Sequence, residues 1–245
     1  MRKDHAEEWY SVADQLEDLL NCVTQLIAEI PRRDRQVNGK LALACLTNKA
    51  HVDFRATLIL CRQGFVDSAE IVARTVMYLC LTIIYISENP RKRGRNFWAF
   101  ELRQRVELVN KLEAIQSLNA ELSSKVAEWE AIADTYKPNN KKRIEWPDEG
   151  QMIDDLNSEN QPYYRLINKV LSYKTHALPL YLLNTYVDHR ADPVIVKQGF
   201  QPSNPGDVLS WICPLLHAAL QCVRNAFDLD INADLVKIDK TIGEI

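Results

Sequence analysis

Between Arg74 and Glu88 the chain runs through thirteen residues without a charge, TVMYLCLTIIYIS, and this run limits the folds open to it more than any other feature. Crossing a bilayer takes about 20 apolar residues, so the run is too short to span one. A solvent-facing helix would carry a polar stripe that this run lacks. The expected element is therefore a buried central helix over residues 67–89, with other helices packed round it by ridge and groove. Asp67, three residues before Glu70, resembles a capping-box start, and Pro90 supplies the stop.

The rest of the chain supports that expectation. Only seven glycines occur in 245 residues, too few for the turn-rich texture of a sandwich or barrel. The stretch from Asp4 carries Trp9, Val12, Leu16, Leu19, Leu20, Val23 and Ile27 at helical spacing as far as Pro31. A second helix is expected from about Asp34 to Gln63, where Gly64 ends it. Residues 91–138 read as one long helix or two consecutive ones, 148–157 as a short helix, and 161–187 as a long one. The segment HRADPVIVKQGFQPSNP, with three prolines, is the expected irregular or extended piece. A helix over 205–228 follows, with Pro214 as the place for a bend, and a short one after Asn232. No repeat or linker divides the chain. The expected fold class is all-α: a single multi-helix bundle of about eight to ten helices, one domain over residues 1–245.

Charge and cysteines narrow the partners. With 30 basic against 33 acidic residues the net charge is −3, which gives no global attraction for nucleic acid or anionic membrane. Cys22, Cys45, Cys61, Cys80, Cys213 and Cys222 form no C-x-x-C pair, and no secretory leader is expected before them. They are expected to be reduced core thiols in a cytoplasmic protein without a membrane partner. Phosphate-loop, dinucleotide, zincin and nucleophile-elbow motifs are missing, so no cofactor or metal is expected.

Three sets of polar residues stand out. In LSYKTHALPLYL, residues 171–182, Ser172 and His176 continue a stripe that begins with Arg165 and Lys169, opposite the apolar face of Tyr163, Ile167 and Val170. A solvated face explains this stripe. If another element covers it, His176 becomes a candidate acid, base or donor with Ser172 one turn before it. Arg74 lies in the apolar helix, where a buried guanidinium needs a carboxylate; Glu70 is the nearest in sequence. A structural ion pair and an anion site both fit. Asn48, His51 and Arg55 share a side of the second helix with Leu41 and Ile59, which suits an interhelical network or a site. The basic clusters PRKRGR at 90–95 and KPNNKKR at 137–143 read as solvated loops, or as phosphate contacts beside the stacking surfaces of Phe97 and Trp98.

The segments DSAEIVARTVMYLCLTIIYISENP, KKRIEWPDEGQMIDDL and YYRLINKVLSYKTHA together resemble a bacterial all-helical family of uncharacterised function, over roughly residues 45–185. The resemblance maps the family's Arg to Arg74, its loop Trp to Trp146, its Tyr to Tyr164, and its Ser and His to Ser172 and His176. The family's Glu one turn after the Arg is Tyr78 here. The architecture is also similar to HEPN domains, helical bundles that often dimerise and act as metal-independent ribonucleases. Their Arg and His motif has only Lys169 at the required spacing before His176. The expected role is nucleotide or RNA binding in stress or defence, with a pocket built from Arg74, Ser172 and His176, and with His51 and Arg55 as further candidates for it. The alternatives are ribonuclease activity, with His176 as acid or base, and a non-catalytic interaction module. A homo-oligomer or an operon partner protein is the expected assembly.

Overall fold

The buried run folds as expected, in a helix that other helices cover on several sides. In the computed structural model, which describes residues 6–30, 37–113, 120–135, 146–156, 161–175, 187–188, 195–196 and 204–245, this is α3, Val66–Glu88. Around it are α1 (Ala6–Leu26), α2 (Val37–Arg62), α4 (Pro90–Glu113), α5 (Ala120–Thr135), α6 (Glu149–Asp155), α7 (Gln161–Thr175), α8 (Pro205–Phe227) and α9 (Asn232–Glu244). Helix α3 packs most extensively on α2 and α8, and also on α4, α6 and α7. Its Val76, Met77, Cys80, Leu81 and Ile86 are fully buried and join a core cluster that also takes in Leu16 and Leu20 of α1, Phe54 and Leu58 of α2, and Ile212 and Leu216 of α8. Among the described residues the protein is an all-helical bundle, with one two-residue antiparallel strand pair, Val187–Asp188 against Ile195–Val196.

Both α3 and α8 are, by length and composition, long and apolar enough to cross a membrane, so the thirteen-residue limit read from the uncharged run understates α3. Here 67% and 61% of their most apolar windows are buried within the bundle, as for core helices.

Helix ends follow local chemistry. Gly64, at φ 81°, terminates α2, and the Phe65 N–H reaches back to the Leu60 carbonyl at 2.8 Å. Asp228, at φ 56°, does the same for α8, with the Leu229 N–H on the Arg224 carbonyl. The cap expected at Asp67 is not formed. Helix α3 starts one residue earlier, Phe65 is its N-cap without a side-chain bond, and Asp67 falls inside the first turn, where its charge still favours the helix N-terminus. Pro90 both follows the end of α3 and opens α4, a position where its missing N–H costs nothing.

Two corrections concern the long segments. The stretch 90–95 is the first turn of α4 rather than a loop, and the expected helix to residue 187 is described as far as Thr175, with Val187 in a strand. Helix α8 passes through Pro214 without a break. Proline removes the N–H that would bond the carbonyl four residues back, that of Ser210. The Tyr163 hydroxyl of α7 fills the gap, donating to Ser210 O at 2.9 Å and lying 3.3 Å from Trp211 O. Burial pushes the Tyr163 hydroxyl pKa well up, which keeps it a donor. Tyr163→Phe leaves a carbonyl without its partner, at an expected cost of about 1–3 kcal/mol in chemical denaturation; a variant as stable as the parent would show that water takes over the bond.

Candidate functional site

Arg74 is the point where three elements meet. Its Nη1 donates to the backbone carbonyl of Asn168 at 3.2 Å and to the Asn168 side-chain oxygen at 3.0 Å, while Nη2 donates to Glu149 Oε1 at 3.0 Å. The expected partner Glu70 is replaced by Glu149, because the N-terminus of α6 and the middle of α7 both come to the Arg74 side of α3. Glu149 is held there by its neighbour: Asp148 accepts from the Gln151 backbone N–H at 2.8 Å, and the Gln151 side chain accepts from the Asp148 N–H at 3.0 Å. This capping box fixes the first residue of α6 and so aims Glu149. The sequence signal was present as Asp148-x-x-Gln151 in DEGQ, and it was the clue to Glu149 that periodicity alone passed over.

Trp146, two residues before the capping box of α6, belongs to an aromatic cluster. Trp146 packs edge-on to Tyr85 at 5.6 Å and Phe97 at 5.4 Å, with Phe100 at 6.3 Å. The indole N–H is buried beside the Tyr78 hydroxyl without the geometry of a full hydrogen bond. Burial raises the Tyr78 pKa against the opposing effect of its polar contacts with Trp146 and Thr82, and the charges of Glu101 and Glu149 raise it further. Tyr78, which stands where the resemblance places a Glu, is thus a neutral neighbour of the ion pair, and Glu149 supplies the carboxylate from elsewhere in the chain.

The other sequence-picked residues divide. Tyr164 is buried in the core, while Arg165 is exposed and paired with Asp154, and Lys169 is exposed. That part of the α7 stripe is solvated. Asn168, between them, is covered by Arg74, and Ser172 follows it one turn later on the same helix. The Ser172 side chain, His176 and the cluster 137–143 lie outside the described residues.

Asn48, His51 and Arg55 do not join this centre. Their side of α2 faces outward: Asn48 bonds the Ala44 carbonyl of its own helix, and Arg55 pairs with Glu17 of α1 at 3.4 Å. Partial burial lowers the His51 pKa, against the charge of Glu17 and with that of Arg55. Phe97 is buried, while Trp98 is half-buried, its indole N–H donating to Asn38 O at 2.9 Å. Arg93 lies over the Tyr85 ring at 3.8 Å and donates to the Tyr85 carbonyl. Cys61, Cys80 and Cys213 are core thiols, and burial pushes Cys61 up to about 12, but Cys22 and Cys45 are exposed, contrary to expectation. A groove of about 270 Å³ between α1 and α9, lined by Asp18, Cys22, Asp234 and Lys237 among others, contains none of the polar residues singled out in the sequence as site candidates.

The model of a family described as "Family of unknown function (DUF5677)" matches residues 40–193. No curated protein and no solved structure matches the chain.

Proposed function

The chain belongs to this family of unknown function, and from that premise we propose that it binds the phosphate of a nucleotide or of RNA at the junction around Arg74, in a cytoplasmic stress or phage-defence role. One observation carries the reading. The Arg74 guanidinium is oriented by groups from α6 and α7 yet keeps 17% of its side chain exposed, so its fork is positioned before any ligand arrives. A planar, permanently charged fork matches two phosphate oxygens at once. Glu149 is its resting partner, and an arriving phosphate competes with that carboxylate. Affinity is therefore modest in the parent protein and rises when Glu149 loses its charge.

Fluorescence anisotropy with labelled RNA and with nucleotides, at fixed salt, tests this reading. Arg74→Ala is expected to weaken binding at least about tenfold, equivalent to about 1.4 kcal/mol, and Glu149→Gln to strengthen it. Binding that neither substitution alters overturns the assignment. Arg74→Ala also leaves a part-buried carboxylate and carbonyl without their donor, so a stability loss of about 1–3 kcal/mol accompanies it. Glu149→Gln retains an acceptor, and its binding effect is separable from unfolding.

A further inference from the structure

Helices α1 and α9 pack on one another and leave a groove of about 270 Å³ between them. Gln15, Asp18, Leu19 and Cys22 share one stripe of α1 and form one wall of it. Asp234, Lys237 and Ile238 of α9 form the other. Leu19 and Ile238 are buried and make an apolar floor, while Asp18, Asp234 and Lys237 are exposed. Charges beside the groove have found partners: Asp14 pairs with Arg62, Glu17 with Arg55, and Lys240 with Glu244. The three charges that line it have no ion pair among the described residues, although they are of opposite sign and face the same groove. Lys237 therefore stands beyond ion-pair distance of both carboxylates. Gln15 adds a further unmet need. Its amide N–H donates to the Ser11 carbonyl at 3.1 Å, and its Oε1 is buried without a hydrogen bond. A buried acceptor in that state is unfavourable until a donor reaches it.

We propose that this groove binds a small zwitterion, an α-amino acid with an apolar side chain. An ammonium group carries three N–H donors, and Asp18, Asp234 and the Gln15 Oε1 supply three acceptors. The ligand carboxylate goes to Lys237, and its side chain lies over Leu19 and Ile238. The gap between Lys237 and the two carboxylates is the span that a ligand of both signs fills. Other classes fit less well. A simple cation is opposed by Lys237, and a simple anion meets two carboxylates. No three metal-ligating side chains gather among the described residues. Size sets a further limit: pockets for drug-sized ligands enclose about 300–1,000 Å³, and this groove, at about 270 Å³, holds something smaller. Exposed charge contacts are individually weak, so the expected Kd is on the order of 1 mM. The proposal is independent of the Arg74 reading, with which it shares no residue.

Saturation-transfer NMR on the full chain with L-leucine, L-methionine and L-phenylalanine at about 10 mM, roughly ten times that Kd, is expected to show binding. Cys22 locates it, because it is exposed and lines the groove, whereas Cys45 is exposed on α2 outside it. Alkylation by iodoacetamide, followed peptide by peptide, is expected to slow about tenfold at Cys22 and not at Cys45 under the same conditions. Isoamylamine is leucine without its carboxylate, and isocaproate is leucine without its ammonium; each is expected to bind at least about tenfold more weakly than leucine. Asp234→Asn and Lys237→Gln are each expected to raise the leucine Kd at least about tenfold, with helical content unchanged because both side chains are exposed. The proposal is overturned if none of the three amino acids binds, or if binding leaves Cys22 unprotected. It is equally overturned by an amine or an acid that matches leucine, or by either variant keeping the parent Kd.

Discussion

Leu81→Ala is expected to lower stability by about 2–5 kcal/mol, the range for truncating a fully buried leucine. Leu81 has no accessible surface and lies in α3, the helix on which α2, α4, α6, α7 and α8 all pack. A hole there is lined by rigid helices on several sides, which limits how far the surroundings can close over it. For a chain of this size each kcal/mol moves Tm by roughly 2–4 °C, so thermal melts followed by circular dichroism should fall on the order of 10 °C. Leu108→Ala is the control: at 58% exposed it removes a comparable side chain from the surface of α4 and should change stability by less than about 0.5 kcal/mol. Equal effects from the two substitutions would mean that α3 is not the centre of the core.

Gly94→Ala is expected to destabilise, even though alanine favours a helix interior by roughly 1 kcal/mol over glycine. Gly94 of α4 crosses Gly39 of α2 so closely that a Cβ at position 94 would lie 2.5 Å from the Gly39 Cα and 2.7 Å from its nitrogen. Both are backbone atoms with no rotamer to escape into, and a Cβ at Gly39 would in turn meet the Pro90 carbonyl oxygen at 2.4 Å. The helices must separate, at a cost of about 1–3 kcal/mol or more, and this exceeds the gain in propensity. Gly243→Ala isolates the gain, because nothing lies within 4 Å of the added methyl. Opposite signs for the two substitutions in urea titration are the expected result, and a stabilised Gly94→Ala protein would show that the crossing has slack.

How much of this was legible in advance depends on the range of the interaction. Apolar spacing identified α1 and the uncharged run identified α3, because burying apolar side chains is the same requirement whatever covers them. Gly64 and Pro90 were readable as stops because φ above zero and a missing N–H act within one turn. The partner of Arg74 was not readable. Nearness in sequence pointed to Glu70, and the pair formed is with Glu149, 75 positions away, through a capping box whose own residues were visible in DEGQ. The α2 residues divide: Arg55 makes an interhelical contact of the expected kind, with Glu17 of α1, but the burial expected of their side is not found. Leu41 and Ile59 suggested a buried side for Asn48, His51 and Arg55, yet that side faces outward. Periodicity reports that a face is apolar, and it is silent on whether the same chain covers it.

Pro214 shows both halves in one residue. That a proline at this position must release the Ser210 carbonyl follows from its ring alone. That Tyr163 of α7, 47 positions from Ser210 in the chain, arrives to bond it follows from the packing of two helices. Local covalent geometry and helical spacing settle which segments are helices, where they stop and which backbone groups are left wanting, because those forces act within a turn or two. The bundle as a whole selects which distant group answers each need: Glu149 for Arg74, Tyr163 for Ser210, Gly39 for Gly94. Those pairings depend on directions and distances between helices, and these emerge only when all the apolar faces are buried together.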